Sequence, residues 1–367
     1  MSQERSRNLF GLDRGDLRSV VAELGERPYR ADQLFEWLYG RRVDSIDAMS
    51  NLPRAFRERL GGEYRVQRPE IAEQSLSYDG TRKLLFRLVD GASVEAVYIP
   101  EQKRRTICIS TQAGCPLKCG FCLTGIAGFT RNLDSGEIVG QVSAIVDSFP
   151  APGRPGEPRP WNVVVMGMGE PLLNADATFR ALRVLMDPKG FAVPPRKLTL
   201  STVGILPALE RMMREPVRPS LAISLHAANP ELRRRLMPIE EKYPMREVVE
   251  AALRYPNPRG GRVTFEYVLL RDVNDSPRDA RELAALLGGT RAKVNLIPLN
   301  QAPQIPFQTP TAAAVDAFCG VLVNAGVRVS VRRSRGRDVL AACGQLHLDR
   351  ARVVPHPSSR FASPPPA

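Results

Sequence analysis

The chain has 367 residues and is longer than a single hydrophobic core usually supports, so a main domain of roughly 250 residues and a smaller one are expected. It has 52 basic and 39 acidic residues, and the resulting net charge of +13 favours a polyanionic partner, although a solvated basic surface would give the same total. A polar N-terminus, six cysteines and the lack of an apolar run of membrane-spanning length indicate a reducing cytoplasm and argue against a secreted or membrane protein.

Residues 1–93 are predicted to form a small accessory domain of helices joined to a short β segment. RADQLFEWLYG at 30–40 and PRAFRERLGG at 53–62 have helical patterns, whereas TRKLLFRLVDG at 81–91 alternates as a strand that approaches a turn.

Residues 94–349 are predicted to form an α/β domain. Six β-rich runs each precede a helix-length pattern, which indicates parallel strands joined by right-handed crossovers. The runs begin at residues 106, 161, 197, 220, 262 and 292. This order of elements predicts a partial (β/α)6 TIM-like barrel, in which the loops that carry the functional residues lie at the carboxyl ends of the strands. A last strand is predicted from residue 327.

Two segments lack the signals of regular structure. The run PAPGRPGEPRP at 150–160 is predicted to be a surface loop between the first helix and the second strand of the barrel. Residues 350–367 are predicted to be a disordered tail without a chemical role.

Three cysteines lie close together on a loop interrupted by glycine and proline, after the first barrel strand. Cys115, Cys119 and Cys122 have a spacing that can hold three corners of an iron–sulfur cube, which leaves the fourth iron open to a ligand other than protein. Structural zinc is the alternative, but it usually takes four ligands in paired short spacings, and no second pair follows. Inert core cysteines are the other alternative.

The chain resembles the RlmN-type RNA adenine carbon-2 methyltransferases, which are radical S-adenosylmethionine (SAM) enzymes, from about Tyr29 to about Leu346. Six separated motifs in the order of that family are more specific than any one of them. They are VEAVYIP at 94–100, TICISTQAGC at 106–115, MGMGEPLLN at 166–174, SLHAAN at 224–229, VNLIPLN at 294–300 and AACGQL at 341–346.

This resemblance implies a radical SAM core with one 4Fe-4S cluster on the three cysteines and SAM on the open iron. It implies methylation of carbon-2 of an adenine in the peptidyl-transferase region of 23S rRNA, and of an adenine next to the tRNA anticodon, by a cytoplasmic monomer. An external one-electron donor, such as a flavodoxin system, would serve the cluster.

The resemblance also assigns three catalytic residues. Cys343 would accept a methyl group from a first SAM, Cys108 would release the product by forming a disulfide with Cys343, and Glu95 would act as general base. Read alone, the two thiols could be core residues and Glu95 an outward-facing strand residue. The SAM contacts implied by the family are Gly169, Glu170, Ser201, Ser224, Leu225, His226 and Asn300.

Two basic clusters favour RNA binding over a merely solvated basic surface, although the sequence leaves open what the first of them touches. One is the run 328–337, which has five arginines and no acid before its end, and the other is Arg233, Arg234 and Arg235. Cys319 lies outside every matched motif and is predicted to be a core residue.

Two further functions remain open from the sequence. The first is the sister activity that methylates carbon-8 of the rRNA adenine, because the cysteine pattern does not separate the two. The second is a non-enzymatic RNA-binding protein with a structural cluster or zinc.

Overall fold

A computed structural model describes residues 7–102, 104–149 and 161–346. The predicted loop at 150–160 and the predicted tail at 350–367 lie outside the described residues. The strands are β1 (Arg7–Asn8), β2 (Tyr64–Arg65), β3 (Glu70–Leu76), β4 (Arg82–Arg87), β5 (Ser93–Pro100), β6 (Arg105–Ile109), β7 (Gln112–Gly114), β8 (Phe129–Asn132), β9 (Trp161–Val165), β10 (Leu198–Thr202), β11 (Ser220–Ser224), β12 (Thr264–Leu269), β13 (Lys293–Pro298) and β14 (Arg328–Val331).

The α-helices alternate with the later strands. They are α1 (Arg14–Glu23), α2 (Tyr29–Phe35), α3 (Arg54–Glu63), α4 (Leu123–Ala127), α5 (Ser135–Ser148), α6 (Ala175–Met186), α7 (Leu206–Met213), α8 (Pro230–Leu236), α9 (Met245–Arg254), α10 (Pro277–Leu287) and α11 (Ala312–Asn324). No helix in the described ranges is long and apolar enough to cross a membrane.

One ten-stranded sheet organises the molecule. Its order is β14-β13-β12-β11-β10-β9-β6-β5-β4-β3, and the first seven strands of this order, from β14 to β6, are parallel to one another. Each of the first six parallel strands in the chain is followed by at least one helix, so the predicted succession of six β/α units is confirmed. Since β14 and β3 are the two ends of a linear order, the barrel is partial, as predicted.

Local signals explain where the helices begin and which face they bury. In α10, the Ser276 hydroxyl accepts the backbone N–H of Asp279, and the Asp279 carboxylate accepts that of Ser276, which makes a capping box at the helix start. The buried side chains Ala280, Leu283, Ala284 and Leu287 repeat at helical spacing, so one face packs against the sheet.

The N-terminal helices pack directly on the barrel. Tyr39 is fully buried; its hydroxyl donates to the carbonyl of Leu12 at 2.8 Å, and its ring lies 6.2 Å from that of Phe191 in the barrel domain. Arg14 also forms an ion pair with Asp187 at 2.6 Å. These contacts join the two parts of the chain through apolar burial and charge pairing.

The β segment of the predicted accessory domain continues the barrel sheet. Strands β3 and β4 are antiparallel, and β4 pairs along its length with β5, which pairs with β6. The turn of the β3–β4 hairpin, at 77–81, contacts the segment that precedes Cys343. Ser77 Oγ donates to Asp338 at 2.6 Å, and the backbone N–H of Gly336 donates to Asp79 at 3.1 Å.

Candidate active site

Ten of the thirteen predicted site residues line one cavity at the carboxyl ends of the parallel strands. This is the edge of a parallel barrel where loops from several strands meet. The ten are Cys115, Cys119, Cys122, Gly169, Glu170, Ser201, Ser224, His226, Asn300 and Cys343. Glu95, Cys108 and Leu225 do not line it.

The loop that carries the three cysteines is closed by the short β7–β8 hairpin and by α4. The backbone N–H of Cys115 donates to the carbonyl of Gly128 at 2.8 Å. Gly114 has φ +83°, and a Cβ there would lie 2.1 Å from the oxygen of Gly128, so only glycine fits. Gly114, which flanks the cysteine motif, is therefore required sterically for this loop to fold.

The three thiols fit an iron–sulfur group. Burial raises the pKa of Cys115 to about 12 and also raises the pKa of Cys119 and Cys122, and the other cysteines of the set contribute to the shifts of Cys115 and Cys119. Such thiols become stable thiolates when a metal compensates their charge. Among the described residues, no three His, Cys, Asp or Glu side chains are arranged around one metal ion. In a cubane cluster, however, each cysteine binds a different iron, so the three thiols need not converge on one point.

Glu170 follows β9 and presents a buried carboxylate. It accepts hydrogen bonds from Thr202 Oγ1 at 2.6 Å and from the backbone N–H groups of Val203 and Leu172 at 3.0 Å each. Burial raises its pKa to about 7 in spite of these donors. The preceding Gly169 has φ +99°, and a Cβ there would collide with Gln112. A cationic ligand group would be held here by opposite charge and close backbone approach.

His226 lies two residues beyond β11 and is neutral. Its Nδ1 accepts the backbone N–H of Val268 at 2.9 Å, so Nε2 carries the hydrogen and is a donor. Burial, together with the charge of Arg233, lowers the pKa of the imidazole to about 3. Its ring contacts Phe121 of the cysteine loop edge-on at 4.7 Å. The imidazole is therefore locked in one orientation at the cavity wall.

The serine hydroxyls at the ends of two neighbouring strands lie side by side. Ser201 Oγ and Ser224 Oγ are 3.3 Å apart, and both face the cavity. Leu225 differs, because its side chain is fully buried and its backbone is bonded on both sides, through its N–H to Glu266 and through its carbonyl to Arg233. It contributes backbone geometry and not a side-chain contact to the cavity.

Arg233 is not available to RNA, so its assignment to a phosphate-binding cluster is wrong. Its side chain is fully buried and forms an ion pair with Glu240. It also donates to the carbonyl of Leu225 and to that of Val203, both at 3.1 Å. Arg234 and Arg235 on the same helix are exposed. Because the helix has 3.6 residues per turn, consecutive arginines face different directions.

The Cys343 segment is held against the cysteine loop. The backbone N–H of Leu123 donates to the carbonyl of Gly344 at 2.8 Å, and Thr124 Oγ1 donates to the carbonyl of Leu346. Asn300 Nδ2 donates to the carbonyl of Cys343 at 3.3 Å. These bonds bring a residue more than 200 positions away onto the wall of the cavity that the cluster cysteines line.

Cys108 lies on β6, directly opposite Val164 of β9, and within electrostatic reach of Cys343 on the cavity wall. Burial, and to a lesser extent proximity to Cys343, raise its pKa to about 12. All six cysteines are free thiols, and the half-buried Cys319 packs against the core as predicted.

Glu95 is almost fully buried on β5, on the same face of the sheet as Cys108. Its carboxylate forms an ion pair with Lys83 Nζ at 2.9 Å. Val97, two residues along the strand, is directly opposite Cys108, which fixes this shared face.

Two charged residues of the cavity were not anticipated from the sequence. Arg332 lies within electrostatic reach of Cys343, which raises the pKa of the guanidinium, and of Glu266. Glu266 accepts a hydrogen bond from Asn295 at 2.7 Å. The sequence contains a feature that could have indicated each residue. Glu266 is the one acidic residue within the apolar strand β12, and Arg332 continues the period-2 alternation of β14. The sequence alone left the role of the 328–337 run, which contains Arg332, open.

Comparison with known proteins relates the chain to two family models and to solved structures. Residues 7–66 match the Ribosomal RNA large subunit methyltransferase N-terminal domain, and residues 109–284 match the Radical SAM superfamily. The chain is similar to a radical SAM methyltransferase from Sphaerobacter thermophilus, with 42% identity over 93% of this chain and 99% of that chain, and a TM-score of 0.84. Streptococcus suis SuiB bound to S-adenosylmethionine is more distant, with 14% identity over 64% of this chain and 48% of that chain, and its TM-score of 0.43 is too low to bear on the site.

Proposed function

The chain belongs to the RlmN-type radical SAM methyltransferases, and from this premise we propose that it methylates carbon-2 of an adenine in 23S rRNA and in tRNA. Membership makes the chain a SAM-dependent RNA methyltransferase that uses a 4Fe-4S cluster and SAM. The alternative of a non-enzymatic RNA-binding protein is therefore not retained.

One observation carries the finer proposal: Cys343 shares a cavity wall with Cys115, Cys119 and Cys122, and lies within electrostatic reach of Cys108. Carbon-2 of adenine lies between two ring nitrogens and is electron-poor, so it cannot attack a methyl sulfonium as a nucleophile. A thiol that first accepts the methyl group overcomes this difficulty. SAM and the 4Fe-4S cluster, held by Cys115, Cys119 and Cys122, would supply the abstraction of one hydrogen atom that makes the S-methyl group of Cys343 reactive.

The residues of the chain then act in order. Cys343 accepts the methyl group, and the resulting carbon radical on its sulfur joins to the adenine as a covalent adduct. Glu95 takes the proton from carbon-2 of the adduct, and its ion pair with Lys83 orients the carboxylate for this task. The adduct radical would give up one electron to the bound iron–sulfur cluster as it loses this proton. Cys108 would then attack the sulfur of Cys343, so the carbon–sulfur bond breaks, a disulfide forms, and the released methylene carbon takes up a proton to become the methyl group. The burial of Cys108 supports a thiol that stays protonated until this step.

The SAM contacts follow the strand ends around the cavity. The Glu170 carboxylate would hold the ammonium group of SAM, while Gly169 lets the backbone approach it. Nε2 of His226 would donate a hydrogen bond, and Ser201, Ser224 and Asn300 would orient the polar groups of the cofactor. Leu225 would contribute its backbone, since its side chain is packed in the core.

RNA must present its adenine unstacked, which costs a few kcal/mol and is least in loops, so single-stranded segments are the expected targets. We propose that the accessory domain, residues 1–93, and the exposed arginines of 328–337 grip the RNA backbone. The protein would act as a cytoplasmic monomer.

The test is anaerobic reconstitution of the full chain, followed by mass spectrometry of ribosomal and transfer RNA incubated with SAM. We expect 2-methyladenosine. Finding 8-methyladenosine without 2-methyladenosine would replace the proposal with the carbon-8 activity.

Two variants test the roles of the thiols. Cys343→Ala should retain iron, lose turnover and yield no methylated peptide at that position. Cys108→Ala should become trapped on RNA as a covalent adduct, whereas Cys319→Ala, a cysteine outside the cavity, should turn over like the unaltered enzyme. Clean product release by Cys108→Ala would refute its resolving role.

A further inference from the structure

The cysteine loop separates two depressions. Its odd-numbered residues from Cys115 to Phe121 line the active-site cavity, whereas Pro116, Lys118 and Gly120 line a second depression. Only Cys115 and Cys119 line both. The side chains of the loop thus divide between the two depressions, and we call the second one, which lies on the side of the loop away from the active-site cavity, the outer depression.

Exposed apolar side chains border the outer depression. Ile126 and Phe129 each expose 47% of their surface, and Pro116 is also exposed. They are fixed by α4 and by the β7–β8 hairpin, so they do not collapse onto the protein. Scattered exposed apolar residues are ordinary, but a cluster on a rigid loop is typical of an interaction site.

Basic side chains adjoin these apolar residues. Lys118 is exposed within the outer depression. The neighbouring Gly120 donates its backbone N–H to the carbonyl of Leu236 at 3.1 Å, which joins the loop to the end of α8, where Arg234 and Arg235 are exposed. An apolar centre beside a basic rim is complementary to a protein whose surface is acidic.

We propose that the outer depression is the docking site of a small acidic one-electron carrier protein. This inference rests on the proposed function, in which SAM and RNA fill the cavity on the inner face of the loop and leave the outer face as the short route to Cys115 and Cys119. One electron leaves the carrier, which is oxidised, and enters the iron–sulfur group, which is reduced; no atom is transferred. RNA is the weaker candidate, since its backbone would not use the aliphatic Ile126.

The experiment uses the anaerobically reconstituted full chain and a purified flavodoxin as probe. Binding is measured by titration at low and high salt. We expect Lys118→Glu and Ile126→Asp each to weaken binding about tenfold. The matched controls Lys189→Glu and Val323→Asp, which alter an exposed lysine and an exposed valine outside the depression, should change it less than about twofold.

A second readout separates docking from damage to the cluster. Iron content, and reduction by dithionite followed at the cluster absorbance, should be the same for Lys118→Glu and the unaltered chain, while reduction by reduced flavodoxin should slow with the loss of binding. Equal flavodoxin binding by Ile126→Asp and Val323→Asp would overturn the proposal. Loss of RNA binding with intact flavodoxin binding would assign the depression to RNA. A chain that takes up no iron would instead contradict the proposed function.

Discussion

Replacing Arg233 by methionine is the sharpest test of how the active-site strand ends are held. The guanidinium is fully buried and bridges Glu240 to the carbonyls of Leu225 and Val203. Methionine fills part of the same volume without the charge. The change therefore leaves a buried carboxylate without its cation and two buried carbonyls with fewer donors.

The magnitude follows from the burial of the pair. Removing one partner of a buried ion pair costs about 3–5 kcal/mol, because the remaining charge is uncompensated. The adjacent Arg234 is the natural control, since its side chain is 53% exposed and its distance to Glu241 is 3.8 Å. Surface pairs of this kind contribute about 0–1 kcal/mol, so Arg234→Met should have little effect.

The assay is urea unfolding of both variants, followed by circular dichroism, with thermal unfolding as a check. We expect Arg233→Met to lower the melting temperature by on the order of 10 °C and Arg234→Met by no more than about 2 °C. SAM affinity should also fall in Arg233→Met, because Ser224 and His226 flank the carbonyl that the arginine holds. Equal stabilities for the two variants would refute the argument.

Three further predictions concern protonation, the cysteine loop and the hairpin contact. Folding lowers the pKa of His226 from 6.5 to about 3, so the stability that the neutral imidazole contributes is present above pH 6.5 and is lost as the pH falls. Between pH 6.5 and pH 5, the unfolding free energy of the wild type should therefore decrease by about 1–2 kcal/mol more than that of His226→Gln, as measured by urea unfolding. Gly125→Ala should bind less iron per chain than Gly120→Ala, because a Cβ at 125 would lie 2.6 Å from the Leu117 carbonyl while one at 120 meets its nearest atom at 3.5 Å; equal iron contents would contradict this. Asp338→Ala removes the two hydrogen bonds that Asp338 accepts from Ser77 and Tyr78 of the β3–β4 turn, so trypsin should cleave this variant severalfold faster within 332–337. An unchanged cleavage rate would show that these two bonds do not hold the segment.

The barrel and the cysteine loop could be predicted because their signals are local. Alternating apolar residues followed by helical periods define each β/α unit within a few tens of residues, and right-handed crossovers leave little choice of topology. The spacing of Cys115, Cys119 and Cys122 is likewise contained in one loop. The merging of β3 and β4 into the barrel sheet was not foreseen, because strand pairing depends on contacts between distant segments.

The arginines show most clearly where sequence reasoning stops. Arg233 and Arg332 each lie in a basic run, and the charge of these runs favoured RNA binding without distinguishing one arginine from the next. The helical repeat of α8 places Arg233 on the buried face, next to the ends of β10 and β11. The alternation of side chains along β14 places Arg332 at the cavity. A run of equal charges has no internal feature that distinguishes its members.

By itself, then, the sequence determined the order of strands and helices, the close spacing of three cysteines in one loop and the family to which the chain belongs, since each depends on residue type and short-range spacing. Only the tertiary structure decided that the Cys343 segment contacts the cysteine loop, that Cys343 lies within electrostatic reach of Cys108, that His226 is a neutral donor, and which arginines are buried. These outcomes depend on strand register and on the packing of segments more than 200 residues apart, and burial, which sets charge states, exists only once those segments have come together.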